Sequence, residues 1–329
     1  MSDPITIRPF RPDDEETLLR GYAQVFPAMT PEVFRWKYSN NPTGEVHIMV
    51  ADHEQHGVVG AYPTLPALAL VDGQTRLVGQ GLDHWVLPEH RRHGARPGLF
   101  VNTGLAHYER WGMPKGPYAC HHGWPTQGWR IGQRYLRYEI IRDWDFLFRE
   151  VPPGGFAPRS VSAELEVRIV QRFDEHVDRL WAEFAPSTRM ALIRDRRYLN
   201  WRYADAPQPY ELCECRERHS GRLRAIAVLA STDFVLPRTV YIVDWLAPSD
   251  DLDATVALVA HAERRAGELG AHTLATLFQH RDPRFLGFQK LGFLVYGTIY
   301  FQVVVPFGGP DAMFYKEHWY HTLGDSDLL

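Results

Sequence analysis

Two stretches of this chain share one pattern. FRWKYSNNP (Phe34–Pro42) and LNWRYADAP (Leu199–Pro207) place Trp36 in register with Trp201, Tyr38 with Tyr203 and Pro42 with Pro207. A repeat constrains the chain more than composition does, because the second half must then follow the first in element order. Upstream of each motif a strand-like stretch runs into a helical one, ITIRPFRPDDEETLLRGYAQVF and EVRIVQRFDEHVDRLWAEF, ending on Phe26 and Phe184. Downstream, alternating runs predict hairpins turning at His56-Gly57 and Ser220-Gly221. GLDHWVLPE then matches YIVDWLAPS, with Trp85 on Trp245 and Pro88 on Pro248.

A helix follows in each half. Val101, Leu105 and Tyr108 form the apolar face of one and Val256, Val259 and Ala266 that of the other, with Gly112 and Gly270 as C-terminal stops. A short strand (PYACHH or TLATLF) and a last helix and strand complete each half as β-α-(α)-β-β-β-α-β-α-β. The joint VPPGGFAPRS (Val151–Ser160) has no periodicity. The reading is an α/β (α+β) chain of two halves, residues 1–150 and 161–329, each a twisted, mixed, mostly antiparallel sheet flanked by helices. The repeated Trp and Tyr read as core.

A net charge of −4 gives no global attraction to nucleic acid or to an anionic membrane. MSDPITIRPF lacks a signal pattern, and no apolar run approaches the roughly 18 residues of a membrane span, so a cytoplasmic location is expected. Three cysteines make no disulfide framework, and Cys213 and Cys215 read as packing on one strand face. The 16 histidines show no HxxxH spacing and there is no CxxC, so no metal site is expected. The sequence leaves the oligomeric state open.

Against this acidic background VLPEHRRHGARPGLF (Val86–Phe100) concentrates positive charge in one turn. A strand, a turn with arginines and a helix start together hold a phosphate, since the helix start presents free N–H groups and partial positive charge. Gly94 permits close backbone approach, Pro97 suits a first helical turn, and Arg91, Arg92 and Arg96 are phosphate partners. The second half reads PSDDLDATVAL there. Asp250, Asp251 and Asp253 would repel a pyrophosphate, and glycine is absent.

The element order, with LPEHRRHG after the fourth strand, resembles the GNAT acyltransferase superfamily, whose pyrophosphate turn reads P-x-x-(R/Q)-x-x-G-x-(G/A). Pro88, Arg91 and Gly94 fit, while Arg96 departs from the small residue of the pattern. HGWPTQGWRIGQRYLRY (His122–Tyr138) and QHRDPRFLGFQKLGF (Gln279–Phe293) resemble the region from the fifth strand through the fourth helix. The resemblance implies acetyl-CoA, or another acyl-CoA, as co-substrate, entering where the fourth and fifth strands splay. It also implies that the backbone near Val86 and Leu87 holds the pantetheine and thioester oxygen. The turn Arg91, Arg92, His93, Gly94, Ala95 and Arg96 would hold the pyrophosphate.

Acyl transfer to an amine needs a proton acceptor and donors for the developing oxyanion. Candidate bases are Asp83 and His84 on the fourth strand, His121 and His122 on the fifth, and Glu89 at the mouth. Neighbouring strand residues face opposite ways, so one of Asp83 and His84 faces the substrate, and His84 is expected to be that one. In the superfamily a fourth-helix tyrosine often protonates the thiolate; here Gly132 and Phe288 fall near that position. Tyr135, Tyr138 or unassisted departure of the thiolate are the alternatives. The closing HWYHTLGDSDLL, with Asp325 and Asp327, reads as a solvated tail.

The function expected is a CoA-dependent N-acyltransferase acting on an amine of a small molecule, an amino sugar among the candidates, with one CoA bound in the first half. The alternatives are a non-catalytic acyl-CoA or metabolite sensor and a Fem-type aminoacyl transferase, the latter disfavoured by the basic turn.

Overall fold

The computed structural model describes residues 4–91, 97–112, 116–126 and 128–328. The first half runs β1 (Ile5–Pro9), α1 (Glu15–Tyr22), α2 (Pro31–Phe34), β2 (His47–His53), β3 (Gly57–Val71), β4 (Gln74–Gly81) and β5 (Trp85–Val86). It continues through α3 (Leu99–His107), β6 (Tyr118–Gly123), α4 (Trp129–Tyr135) and β7 (Glu139–Glu150). The second runs β8 (Leu165–Val170), α5 (His176–Phe184), β9 (Met190–Leu192), α6 (Arg196–Leu199), β10 (Glu211–Glu217), β11 (Leu223–Thr232) and β12 (Thr239–Leu246). Then come α7 (Leu252–Glu268), β13 (Thr273–Thr276), α8 (Pro283–Lys290), β14 (Leu294–Pro306) and α9 (Ala312–His318). Among the described residues no helix is long and apolar enough to cross a membrane.

Two compact units result, but they do not part at the 151–160 joint. One consists of residues 1–69, 75–142 and 300–316, the other of 70–74, 143–299 and 317–329. The division differs from 1–150 and 161–329 because the final strand of each half serves the other unit. In the first unit the order is β1-β2-β3-β4-β6-β14, with Val303–Pro306 of β14 antiparallel to β6. In the second it is β7-β13-β12-β11-β10-β8, with Leu147–Glu150 of β7 antiparallel to β13. Each late strand satisfies ladder groups that would otherwise form an open edge. The parallel pairs are β4–β6 and β12–β13. The mixed sheet flanked by helices is thus present in each unit.

Local chemistry explains the repeated pieces. The hairpins turn at Gly57 and Gly221, whose φ of +71° and +72° only glycine takes readily. Both Trp motifs form π-turns, Arg35–Ser39 and Asn200–Ala204, closed by bonds from Asn40 N–H to the Arg35 carbonyl (2.7 Å) and from Asp205 N–H to that of Asn200 (2.9 Å). The turn aims the repeated tyrosine at a carboxylate, Asp83 just past β4 and Asp244 on β12. Tyr38 donates to Asp83 at 2.7 Å and Tyr203 to Asp244 at 2.8 Å. These tyrosines are core residues, as expected, and each also has a polar task.

In the second unit Asp244 further accepts from Arg194 Nε at 2.9 Å, and both side chains are buried. Removing one partner of a buried pair costs about 3–5 kcal/mol, against roughly 1 kcal/mol for an ordinary hydrogen bond. Asp244→Ala should therefore lower the unfolding free energy in denaturant titration by about 3 kcal/mol and Tyr203→Phe by about 1 kcal/mol. Equal, small losses would contradict this assignment.

Candidate active site in the first unit

The parallel pair β4–β6 runs in register from Leu77↔Tyr118 to Gly81↔Gly123. Past Gly81 the chain resumes as β5, which pairs with β3 through Gly60↔Val86 and Ala61↔Trp85. The two parallel strands therefore part at the two glycines. Asp83, in the intervening Leu82–His84 segment, has left-handed backbone, φ +52°.

Asp83 is fully engaged. Its Oδ2 accepts from Lys37 Nζ (2.8 Å) and Tyr38 (2.7 Å), and its Oδ1 from Tyr22 (3.3 Å). Burial works to raise this carboxyl, but Lys37 and Tyr38 outweigh it and hold it below the usual carboxylate value. Asp83 is an anionic anchor, which corrects its listing among free proton acceptors. His84 lies with its ring on Tyr62, centroids 3.6 Å apart and planes 17° from parallel. Nε2 is 3.0 Å from the Pro63 carbonyl; that acceptor requires Nε2 to carry the hydrogen and leaves Nδ1 with the lone pair. Burial lowers this imidazole to about 4.

Gly81 explains how a second imidazole approaches. A Cβ there would lie 2.3 Å from His121 Cε1 and 2.9 Å from His84 Cε1, so any side chain would displace a ring. His121 spans Thr64 Oγ1 and the Tyr108 hydroxyl, each at 3.4 Å. The Tyr62 hydroxyl joins those of Tyr108 (3.0 Å) and Tyr138 (2.9 Å). Tyr138 packs on Gly132, where a Cβ would come within 2.3 Å of its ring. The bare Gly132 thus makes room for a tyrosine from just beyond the helix. Burial raises all three phenols and pushes His121 well below its ordinary value, so the cluster is uncharged at pH 7.

Two named candidates lie elsewhere. His122, the neighbour of His121 on β6, takes the other sheet face and meets Trp124 edge-on at 5.4 Å. Burial lowers it to about 3. Tyr135 is exposed on α4 under the Arg134 guanidinium, 5.3 Å away, outside the Tyr62–Tyr108–Tyr138 cluster. Of the paired candidates, His121 and Tyr138 join the cluster, and His122 and Tyr135 do not. Glu89 is exposed.

At the turn, Leu87 N–H is spent on the Val59 carbonyl (2.9 Å) and cannot serve a ligand, which corrects that expectation. By strand alternation Val86 presents its backbone groups to the opposite edge, where its carbonyl accepts from Arg91 Nε at 3.2 Å. Arg91 therefore braces the base of the turn. Arg92, His93, Gly94, Ala95 and Arg96 lie outside the described residues. The turn closes where Gly98, at φ +104° and ψ 163°, brings its Cα against the Arg91 carbonyl; a Cβ would sit 3.3 Å from that oxygen. Helix α3 starts behind Gly98, one turn position later than Pro97 suggested, with no side-chain cap.

The second unit closes the equivalent places with its own residues. Asp251 caps α7 by accepting from Ala254 N–H (3.1 Å) and is paired with Arg224 (2.8 Å). Past the last β12–β13 partners, Ile242↔Thr276, Asp244 accepts from Thr322 Oγ1 (2.9 Å), Arg194 donates to Asp325 (2.8 Å) and Arg202 to the Ser326 carbonyl (3.0 Å). Residues 319–326 are buried, so the expected solvated tail is instead a packed segment tied down by Asp325. Glu211, Cys213 and His261 bring metal-type ligand atoms within 4.8 Å of one another. Arg265 pairs with Glu211 (2.8 Å) and Arg264 donates to His261 Nδ1 (2.9 Å), which makes the trio an ion-pair network.

No protein-family model and no curated protein matches the sequence. Solved structures do. A probable N-acyltransferase from Enterococcus faecalis V583 superposes with a TM-score of 0.67 at 13% identity, covering 92% of this chain and 73% of that one. A GCN5-related N-acetyltransferase from Anabaena variabilis gives 0.64 at 14%, covering 92% and 73%. N-myristoyltransferase of Saccharomyces cerevisiae, solved with bound myristoyl-CoA, gives 0.58 at 11%, covering 94% and 80%. The chain has the GCN5-related N-acetyltransferase fold. At these identities the likeness is one of fold, and it agrees with the GNAT resemblance read from the Pro88–Arg91–Gly94 turn.

The neutral, buried imidazoles carry a stability consequence. His84 at about 4 and His122 at about 3 lie below the unfolded value of about 6.5, so the unfolded chain binds the extra protons. Their contribution is full above pH 6.5 and is lost as pH falls from there toward 4. Unfolding free energy should drop on acidification from pH 6.5 to 5, and His122→Gln should reduce that slope by up to about 1.4 kcal/mol per pH unit. An unchanged slope would contradict the buried neutral state.

Proposed function

We propose that the chain is an acyl-CoA-dependent N-acyltransferase in which the first unit binds acyl-CoA and the second does not. One observation carries the reading: two parallel strands part at Gly81 and Gly123, with a glycine-led, uncapped helix start following in the same unit. Parted strands offer backbone groups to a pantetheine, and an uncapped helix start offers N–H groups and partial positive charge to a pyrophosphate. In this reading Val86 serves the pantetheine, Arg91 and Gly98 shape the turn, and the turn with the α3 start receives the phosphates. In the second unit buried residues 319–326 pack past the last β12–β13 partners and Asp251 caps the α7 start, which supports one acyl-CoA per chain.

The chemistry follows from the neutral cluster. The amine lone pair attacks the thioester carbonyl, forming the C–N bond and a tetrahedral oxyanion. His84 Nδ1, the nitrogen left with the lone pair, takes the proton from the attacking nitrogen. When the C–S bond breaks, the thiolate takes a proton from the Tyr62–Tyr138 hydroxyl pair, and solvent returns the His84 proton to that pair. The products are the amide and free CoA thiol. A small-molecule amine is the acceptor, amino sugars remaining within that class, and acetyl is the acyl group proposed.

Calorimetric titration with CoA should saturate at one equivalent. Gly98→Ala forces a Cβ onto the Arg91 carbonyl in a glycine-only backbone region and should weaken binding about tenfold or more, while Asp251→Ala should leave it unchanged. His84→Ala should keep CoA affinity and lower kcat by about 10²–10⁴. Two equivalents, or affinity lost through Asp251 rather than Gly98, would overturn the assignment.

A further inference from the structure

Three imidazoles meet on the first unit, outside the cluster described above. His53 ends β2, His56 lies in the β2–β3 hairpin turn, and His90 ends the short 3-10 turn Pro88–His90 that leads to Arg91. His56 and His90 are 34 residues apart in the chain, so ligand spacing in the sequence gave no sign of them.

The backbone holds all three rings in place. His56 N–H donates to the His53 carbonyl at 3.2 Å, which closes the hairpin turn. The two rings then lie flat on each other, centroids 4.2 Å apart and planes 8° from parallel. His53 Nδ1 accepts from Gln55 N–H at 3.1 Å, which fixes its ring and leaves the hydrogen on Nε2. His90 is buried, with its own N–H on the Leu87 carbonyl at 2.9 Å. Its ring stands 5.3 Å from His53 and 5.5 Å from His56, inclined at 57° and 64°. His56 is exposed, so this group opens to solvent on the hairpin side.

The spacing of two nitrogens is what suits an ion. His56 Nδ1 lies 3.4 Å from His90 Nε2, longer than the roughly 3 Å that an N–H donor prefers. Two nitrogens on one tetrahedral Zn2+, each at about 2.0–2.1 Å, stand about 3.3–3.4 Å apart. Adjacent positions of a square-planar or octahedral ion at that bond length are only about 2.9–3.0 Å apart. The Glu211–Cys213–His261 group differs in chemistry, because Arg265 and Arg264 already donate to its carboxylate and imidazole.

We infer that His56, through Nδ1, and His90, through Nε2, form a two-histidine Zn2+ site, with water completing the tetrahedron. His53 is its positioning residue, stacked on His56 with its own Nδ1 already engaged. The bound ion ties the β2–β3 turn to the Pro88–His90 turn.

The test uses the full chain, stripped with chelator, labelled with 15N-histidine and titrated with zinc chloride. One equivalent should shift one Nδ1 and one Nε2 ring resonance, and the thermal midpoint should rise, because the ion binds the folded chain. His56→Ala and His90→Gln should each remove both shifts. Each should weaken zinc binding by at least the roughly 10–100-fold that loss of an outer-shell partner alone costs. His53→Phe, which keeps a flat ring without nitrogens, should retain the site, as should His261→Gln. If His90→Gln does not fold, the paired ring shifts of the wild type and the exposed His56→Ala variant still decide. Zinc binding that survives His56→Ala, ring shifts that vanish in His261→Gln, or the absence of one Nδ1 and one Nε2 shift would each overturn the assignment.

Discussion

Both units are organised around one hydrogen bond, from the tyrosine of a π-turn to an aspartate, Asp83 between β4 and β5 in the first and Asp244 on β12 in the second. The two carboxylates do not occupy the same place. Counted back from the matching tryptophans, Asp244 stands beside Trp245, while Asp83 is one residue further from Trp85 and takes a left-handed backbone conformation to reach Tyr38. That single step leaves the position beside Trp85 to His84. Once there, the imidazole stacks on Tyr62 and gives its Nε2 hydrogen to Pro63, and the lone pair on Nδ1 follows. A structural anchor and a candidate base are thus consecutive residues, and the anchor's charge is cancelled locally by Lys37.

The same architecture meets opposite fates in the two units. The first unit ends its parallel strands on Gly81 and Gly123, where a side chain would collide with an imidazole or with backbone, and starts α3 behind Gly98, whose φ of +104° favours glycine. The second unit has a packed segment, residues 319–326, threaded through a buried network of Arg194, Asp244 and Asp325, and an aspartate at its helix start. Arg194 is buried between Asp244 and Asp325, and loss of the cation would leave two buried carboxylates without a counter-charge. The segment is therefore held firmly. A ligand for the second unit would have to displace it and Asp251 alike.

The extent to which this was legible in the sequence depended on the kind of signal. Hairpin turns at Gly57 and Gly221, the stop at Gly270 and the order of elements rest on local chain stiffness and periodicity, and these survive into the fold. The exchange of β7 and β14 was hidden because a strand's pattern does not say which edge it will pair with. Alternation alone could not choose between His121 and His122, because β6 carries an irregularity: its register moves from Leu77↔Tyr118 to Gly79↔His121, so Tyr118 and His121 share a face despite their odd spacing. Asp325 read as solvated because its partner, Arg194, is far away in sequence. Gly132 appeared as a missing acid, yet a Cβ there would meet the Tyr138 ring, and helix periodicity alone could not choose between Tyr135 and Tyr138.

The central claim is that acyl-CoA engages the first unit at the parted strands and the α3 start while the second unit stays closed. Backbone amide hydrogen exchange, measured with and without CoA, tests it most directly. The account predicts slower exchange for Val86 and for the first turn of α3, with no change at the start of α7 or in residues 319–326. Protection at the α7 start, or faster exchange in 319–326 on adding CoA, would show that the second unit opens to take the ligand and would contradict the account.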